Sequence, residues 1–233
     1  MPIGVFVNVA AVVSGGLLGG FFGDKLPERV KDQLTSVFGI CAMSMGVFSV
    51  VLMKNMPAVI FAVILGTLVG TWIDLDSGIR KGTGKLLRKL RLKGDIDMQL
   101  MVTAMVLFCA SGTGIYGSLT SGMTGDHSIL FAKSVLDFFT AMIFACKLRQ
   151  AVMLIGVPQL VIMLLLFFLA RLILPLTNAA MIDDFKACGG IVLLATGFTI
   201  MKVKEIPIAN MILSMVIVMP ISACWMNVIA PLL

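Results

Sequence analysis

The sequence predicts an all-α polytopic membrane protein with about eight transmembrane helices. Hydrophobic residues make up 59% of the 233 residues and charged residues only 13%, whereas soluble domains are about 45–50% apolar and about 25% charged. The mean hydropathy is +1.08, and the apolar residues form long runs between short polar segments. A soluble chain of this length could not bury so much apolar surface. Residues 1–233 are therefore predicted to form a single integral membrane domain.

Eight apolar segments are candidates for membrane-spanning helices. About 20 apolar residues are needed to cross the hydrocarbon core, and only helices and closed barrels satisfy their backbone polar groups in lipid. The lengths of the segments and the spacing of their small residues favour helices. The predicted spans are 3–22, 34–53, 56–73, 98–119, 128–148, 151–174, 185–201 and 207–228.

The basic residues predict how these spans are oriented. The longest polar gap is the loop 74–97, whose core RKGTGKLLRKLRLK carries seven Lys or Arg residues and no acid. Short loops rich in Lys and Arg stay in the cytoplasm, so the loop 74–97 is predicted to be cytoplasmic. Alternation then places the loop 23–33 inside, and both termini, the loop 120–127 and the acidic loop 175–184 outside.

The basic loop has two further interpretations. Leucines interleave with its basic residues, so the segment could also lie on the membrane surface and contact anionic lipids. Nucleic-acid binding is disfavoured, because the run is short, has no aromatic partner and is already explained by the topology. The lipid bilayer is thus an expected partner and nucleic acid is not.

Two parts of the chain resemble each other and predict an inverted repeat. A first three-helix repeat, 1–73, and a second, 150–233, would flank the basic loop 74–97 and a central polar hairpin, 98–149. The equivalent positions are Gly39 and Gly190, Gly46 and Gly197, Pro57 and Pro207, and Trp72 and Trp225. Spans one to three would match spans six to eight. Because this is a shift of five spans, an odd number, the second copy would have the opposite orientation in the membrane. Such repeats recur in secondary transporters, although apolar spans also resemble each other by composition alone.

The central hairpin carries the strongest candidate for a functional site. Asp137 lies near the middle of the fifth span, where a carboxylate costs a few kcal/mol and is a functional candidate by default. Lys133 precedes it by four residues on the same helix face and can pair with it, and the Ser134 hydroxyl lies one turn away. The alternative is that the pair is a packing device that fixes this span. Asn8 in the first span is interpreted as an interhelical hydrogen-bonding residue.

Small and hydroxyl residues surround this pair in the sequence. Gly114, Gly117, Ser118 and Ser121 lie in the outer part of the fourth span or just beyond it. They are predicted to line a path to the pair, since non-helical backbone at membrane depth is tolerated only where it lines a cavity or is buried in protein.

Other chemistries find little support. The chain has one His and five scattered Cys residues, so no metal site, cofactor or catalytic residue is predicted and an enzyme is not expected. Small-xxx-small pairs such as Gly15 and Gly19, or Gly66 and Gly70, provide faces for close packing within the chain or between subunits. They suggest a homo-oligomer, most simply a dimer.

The central motif resembles that of domain-of-unknown-function family 554, a family of bacterial inner-membrane proteins. The matching residues are Gly117, Ser118, Leu119, Gly122, Gly125, Asp126, Lys133, Ser134, Leu136, Asp137, Phe144 and Ala145. The resemblance implies a location in the bacterial inner membrane and adds Asp126 to the candidate site residues. It implies no substrate.

Two functions follow as hypotheses. The first is a transporter or channel for an ion or small solute, in which Asp137 binds a cation or proton and Lys133 sets its charge state. The second is a non-transporting assembly or regulatory protein, in which the polar hairpin is structural.

Overall fold

The protein is all-helical wherever its structure is described. The computed structural model describes residues 1–22, 27–89, 98–109 and 111–230, and every regular element in these ranges is helical. The α-helices there are α1 (Ile3–Phe22), α2 (Glu28–Val50), α3 (Met56–Trp72), α4 (Leu75–Lys89), α5 (Met98–Cys109), α6 (Gly112–Thr124), α7 (Ser128–Leu148), α8 (Gly156–Ile173), α9 (Ala179–Ile200) and α10 (Ile208–Cys224). A 3-10 segment, Arg149–Ile155, joins α7 to α8, and the π-helical turn Trp225–Ile229 follows α10. The all-helical class is thereby confirmed.

Several of these helices could span a membrane. Within the described ranges, four stretches are long and apolar enough: Ile3–Phe21, Asp32–Val50, Ser128–Leu176 and Ile208–Ile229. A fifth is added if the bent pair Met56–Trp72 and Leu75–Gly82 counts as one span. The stretch Ser128–Leu176 has 49 residues, more than twice the length of about 20 residues that one crossing needs. The count of eight spans stays a prediction.

At least two of the predicted loops contain helical residues. The loop 74–97 contains α4 in its first part, and its residues 90–97 lie outside the described ranges, as do residues 23–26 of the predicted loop 23–33. Residues 120–124 of the predicted loop 120–127 belong to α6, which ends at Thr124 and is capped by Gly125. This glycine adopts the left-handed conformation (φ 74°) that closes the helix, and its N–H donates to the Ser121 carbonyl. Glycine suits this position because it has no Cβ to clash there.

The seventh predicted span begins six residues earlier than 185. Asn178 caps α9 by accepting a hydrogen bond from the Met181 N–H, which satisfies one of the free donors at a helix start. Asp183 and Asp184, predicted in an external loop, therefore lie on a helix.

The chain divides into two compact units. The first contains Met1–Val37 and Ser77–Leu172, and the second contains Phe38–Asp76 and Ile173–Leu233. Each unit takes segments from both predicted repeats. The blocks 1–73, 74–97, 98–149 and 150–233 stay predictions.

In the first unit, α1 and α7 pack side by side and run in the same direction. Gly15 lies against the backbone carbonyl of Phe138, and Gly19 lies against that of Met142. Because both glycines lack a side chain, the two backbones approach closely. The core beneath them is formed by apolar residues of α1, α5, α7 and the 3-10 segment, among them Val12, Met101, Phe108, Ala141 and Val152.

In the second unit, two pairs of helices cross on small residues and run in opposite directions. The helices α3 and α10 meet where Gly66 lies against Ser214 and Gly70 lies against Asn210. The helices α2 and α9 meet at two glycine pairs: Gly39 with Gly197, and Gly46 with Gly190. The glycine faces predicted from the sequence thus pack within the chain.

Candidate functional site

The candidate site is centred on a buried ion pair in the first unit. Lys133 and Asp137 lie one turn apart on α7, and the Lys133 Nζ atom is 2.6 Å from Asp137 Oδ2. Only 2% of the Lys133 surface and 7% of the Asp137 surface are exposed. Lys and Asp are almost never buried to this degree unless they are paired.

Two amide side chains from other helices complete the carboxylate's surroundings. Asn8 of α1 donates from Nδ2 to Asp137 Oδ2 at 3.0 Å. Gln159 of α8 donates from Nε2 to Asn8 Oδ1 at 2.8 Å and to Asp137 Oδ2 at 3.4 Å. Both amides are fully buried. The network therefore ties α1, α7 and α8 together through one carboxylate oxygen.

The prediction that Asn8 makes an interhelical hydrogen bond is confirmed. Gln159, in contrast, was missed by sequence reasoning. It follows Pro158 near the start of an apolar run, and the polarity of a Gln inside such a run is the only signal that could have revealed it.

The segment 98–119 predicted a single helix for the fourth span, but the structure has two helices there. The helix α5 ends at Cys109, and α6 begins after Ser111, whose backbone is extended and whose hydroxyl accepts from the Gly114 N–H. The hydroxyl satisfies a backbone donor that the helix start would otherwise leave free, so the sequence Ser-Gly-Thr-Gly favours a new helix start here.

The break in this span lies beside the ion pair. A side chain at Gly114 would begin 3.2 Å from Cε of Lys133, 3.1 Å from Ser111 Oγ and 3.7 Å from the Phe108 carbonyl oxygen. Gly114 thus leaves room for the Lys133 side chain between the end of α5 and the start of α6. The structure brings this predicted site residue together with Lys133.

The helix α6 is polar yet buried. Ser118 and Thr120 are 0% and 3% exposed, and their hydroxyl oxygens have no hydrogen-bond partner among the described residues. Gly117 packs against Ile129 and Leu130 of α7. Buried hydroxyls are usually hydrogen-bonded, so Ser118 and Thr120 are candidates to contact a water molecule or a solute.

The remaining predicted site residues lie in other surroundings. Ser134 donates to the Leu130 carbonyl in its own helix at 2.6 Å. Asp126 is exposed, and its Oδ1 atom accepts from the N–H and the hydroxyl of Ser128 at the start of α7. These contacts are local to α7 and the turn before it, so they explain the two residues without the ion pair.

Ser121 and His127 form a contact that the sequence did not reveal. The Ser121 hydroxyl is 2.6 Å from His127 Nδ1, and the His127 ring packs edge-on against Phe131. This hydrogen bond joins the end of α6 to the start of α7. His127 follows Ser121 by six positions, with the Gly125 turn between them, so only the folded turn brings the two side chains together.

The second unit contains a buried carboxylate of its own. Asp184 of α9 is 0% exposed and accepts four hydrogen bonds. They come from the backbone N–H groups of Lys54 and Asn55, the Asn55 side chain and the Ser222 hydroxyl, at 2.6–2.9 Å. The carboxylate therefore ties the turn between α2 and α3 to α9 and α10.

Replacing Asp184 by Ala is expected to lower the free energy of unfolding by about 2–4 kcal/mol, since hydrogen bonds to a charged group contribute about 1.5–3 kcal/mol each and are not additive. Asp183 is the matched control. It is partly exposed, and its one ion pair in the described part of the chain is with Lys186 at 4.0 Å, so Asp183→Ala should change stability by less than about 0.5 kcal/mol. Unfolding in detergent measures both, and equal effects would contradict the role given to Asp184.

The described residues contain no group of three or more His, Cys, Asp or Glu side chains that could hold a metal ion.

Fold and site together define a class: an all-helical protein with helices that could span a membrane and a buried Lys–Asp pair on one of them. The chain belongs to the family described as "Protein of unknown function (DUF554)", whose model matches residues 3–223. The family membership predicted from the central motif is thereby confirmed.

Two relatives are similar in sequence to this chain over nearly their whole length. It is 47% identical over 230 residues to the "Uncharacterized protein YqgA" of Escherichia coli (strain K12), covering 97% of this chain and 98% of the relative. It is 23% identical over 225 residues to the "Uncharacterized membrane protein YdfK" of Bacillus subtilis (strain 168), covering 92% and 93%. No solved structure matches. The name of the second relative and the apolar helices both indicate a membrane protein.

Proposed function

We propose that this protein is a transporter or channel for an ion or small solute in the bacterial inner membrane, with its site at the Lys133–Asp137 pair. The buried pair itself carries the proposal. Burying two charges costs several kcal/mol per ion, which their attraction repays only partly. Ionisable residues inside membrane helices accordingly mark ion and substrate pathways.

The interrupted helix beside the pair supports a transport site. Discontinuous spans in transporters place helix ends at the midplane, where backbone carbonyls and N–H groups can contact ions and solutes. Here the end of α5 and the start of α6 flank the side chain of Lys133. The hydroxyls of Ser118 and Thr120 on α6, which have no hydrogen-bond partner within the described ranges, would extend a polar path from the pair, together with Gly117 and Ser121.

The proposed inverted repeat is supported by the crossing of α2 and α9. In the sequence alignment, Gly39 is equivalent to Gly190, and Gly46 is equivalent to Gly197. In the structure each glycine contacts the equivalent of the other one: Gly39 meets Gly197, and Gly46 meets Gly190. A two-fold axis between equivalent helices produces this reciprocity.

A second pair of contacts at this crossing follows the same exchange. Gly46 lies against Leu194, and Gly197 lies against Met43. Met43 and Leu194 are equivalent in the same alignment, so each contact is the counterpart of the other.

The proposed topology has eight spans, outside termini and a cytoplasmic loop 74–97. In that alternation the first and fifth spans run the same way, which agrees with the parallel packing of α1 and α7. The second and seventh spans run in opposite directions, which agrees with α2 and α9.

The alternative is a non-transporting assembly or regulatory protein. One observation favours it: Asn8 and Gln159 cover the ion pair with hydrogen bonds, as a structural tie between helices would require. A homo-oligomer stays a prediction for either function, because the glycine faces that suggested it pack within the chain.

Flux in proteoliposomes tests the proposal with a panel of protons, alkali cations, halides and small organic anions. Asp137→Asn and Lys133→Met are each expected to lower the flux of the transported solute by about 100-fold. That factor corresponds to about 2.7 kcal/mol, slightly less than the cost of about 3–5 kcal/mol for leaving one buried charge uncompensated. The control for Lys133→Met is Lys147→Met, because Lys147 is exposed on the same helix. If all three variants have the same solute flux as the native protein, the alternative function is favoured.

A further inference from the structure

The ion pair is accompanied by a buried acceptor that has no hydrogen-bond partner among the described residues. This acceptor is Oε1 of Gln159, a residue that is 0% exposed. The other end of the amide fixes its orientation, since Nε2 donates to Asn8 Oδ1 and to Asp137 Oδ2. A flipped amide would place its oxygen against these two oxygens. Because a buried acceptor without a donor is unfavourable, a ligand that donates a hydrogen bond to Oε1 is favoured.

The acceptor lies beside the carboxylate of the pair. Gln159 Nε2 is 3.4 Å from Asp137 Oδ2, and Oε1 belongs to the same amide, so it lies within about 6 Å of that oxygen. The donors of Lys133, Asn8 and Gln159 all converge on Oδ2, and Oδ1 is engaged by none of them. A primary ammonium group has three N–H donors and one positive charge. It can therefore pair with Asp137 and donate to Gln159 Oε1 at the same time.

The surroundings of Lys133 suit the opposite charge. A Cβ atom at Gly114 would lie 3.2 Å from Lys133 Cε, so the end of this lysine lies against the first turn of α6. The start of a helix favours a carboxylate, because its backbone N–H groups and the helix dipole are positive there. Ser118 follows Gly114 by one turn on the same face of α6, and its buried hydroxyl has no partner among the described residues. A carboxylate bound here would pair with Lys133 and accept from Ser118.

Charge balance selects a ligand that carries both groups. Lys133 and Asp137 together are neutral, and they are only 2% and 7% exposed. A simple cation or a simple anion would leave the cluster with a net charge, in surroundings where uncompensated charge is costly. A ligand with one ammonium and one carboxylate leaves the cluster neutral, and neither residue has to change its protonation.

We propose that the site binds a small zwitterion, an amino acid with a primary ammonium and a carboxylate a few bonds apart. The proposal rests on the proposed function and names its substrate class. On binding, the contact between Lys133 Nζ and Asp137 Oδ2 opens. The ammonium of the solute then contacts Asp137 and Gln159 Oε1, and its carboxylate contacts Lys133 and the Ser118 hydroxyl. No covalent bond forms and no proton is exchanged.

Calorimetric titration of the native protein in detergent at neutral pH tests the zwitterion directly. The probes are glycine, L-alanine, L-serine, β-alanine and γ-aminobutyrate. Two analogues that each keep one charge are the matched controls for every probe that binds, for example propionate and ethylamine for L-alanine. We expect saturable binding of at least one of the five probes, and binding of each analogue weaker by about tenfold or more. If none of the five binds, or if an analogue binds as tightly as its zwitterion, the proposal is overturned.

The contact with Gln159 has its own test. Gln159→Leu removes the acceptor, so the dissociation constant of the zwitterion should rise about tenfold, whereas Lys147→Met should leave it unchanged. A trimethylated ammonium keeps its charge but has no N–H to donate, so the N-trimethyl form of the bound zwitterion should also bind more weakly. Native affinity in a folded Gln159→Leu variant would contradict the proposed site.

Variants of the pair identify the two charges. Asp137→Asn and Lys133→Met should each abolish binding of the zwitterion. Because both changes also lower stability, the comparison of ligands on the native protein decides the proposal, and these variants count only where they fold. A folded variant of either kind that binds the zwitterion with native affinity would also overturn it.

The flux panel, with the five zwitterions added, separates this proposal from the proposed function. If the flux of another solute depends on Asp137 but no zwitterion binds, the substrate class is overturned while the transport function stands. If a zwitterion binds but no solute crosses the membrane, the binding site is supported and transport is not. If neither occurs, both proposals fail.

Discussion

Removing either member of the ion pair alone is expected to destabilise the protein by about 3–5 kcal/mol, because it leaves an uncompensated buried charge. The changes are Asp137→Leu and Lys133→Met. Combined in one chain they should recover most of this loss, since apolar residues of similar volume often replace a buried ion pair at no net cost. Urea or thermal unfolding in detergent measures all three.

The double variant is informative because it removes both charges at once. It therefore separates the effect of losing the pair from the effect of leaving one charge unpaired. Lys133 and Asp137 contact each other directly, so their effects should be strongly non-additive. Losses that simply add would show that the two charges do not stabilise each other. The amides of Asn8 and Gln159 would still be buried, which keeps the recovery incomplete.

A substitution of the glycine at the crossing of α1 and α7 should destabilise the protein nearly as much as the loss of one charge. A Cβ atom at Gly15 would meet the backbone carbonyl of Phe138, and backbone cannot move aside as a flexible side chain can. Gly15→Ala is expected to lower the free energy of unfolding by about 1–3 kcal/mol, the usual cost of overpacking. It should also weaken the hydrogen bond from Asn8 to Asp137, because both helices would separate.

Gly78 provides the matched control for this substitution. It lies on α4 with nothing within 4 Å of an added Cβ. Alanine forms helix more readily than glycine, by up to about 1 kcal/mol, so Gly78→Ala should leave the protein as stable or slightly more stable. Similar losses from Gly15→Ala and Gly78→Ala in detergent unfolding would contradict the close packing of α1 and α7.

Much of the fold was predictable because it depends on local pattern. The apolar runs predicted a helix in every region assigned to a span, and the spacing of Lys133 and Asp137 predicted that they share a helix face. Asn8 was recognisable because a polar amide within an apolar span needs a partner in another helix.

The parts that were missed depend on contacts between distant segments. Asp184 looked like a loop residue, because its cost of burial is offset by donors near residues 54–55 and 222 that only the fold brings together. The break at Ser111 was hidden by apolar residues on both sides, although the following glycines are poor helix formers. Gln159 joined the site only through α8 packing beside α1 and α7.

The flux of the double variant Lys133→Met/Asp137→Leu tests the central claim most directly. Its stability should approach that of the native protein, so a loss of flux cannot be attributed to unfolding. We expect solute flux to fall to the level of empty proteoliposomes, because neither charge remains to bind or couple the solute. Native flux from this folded variant would show that the pair is a structural tie between helices and not a transport site.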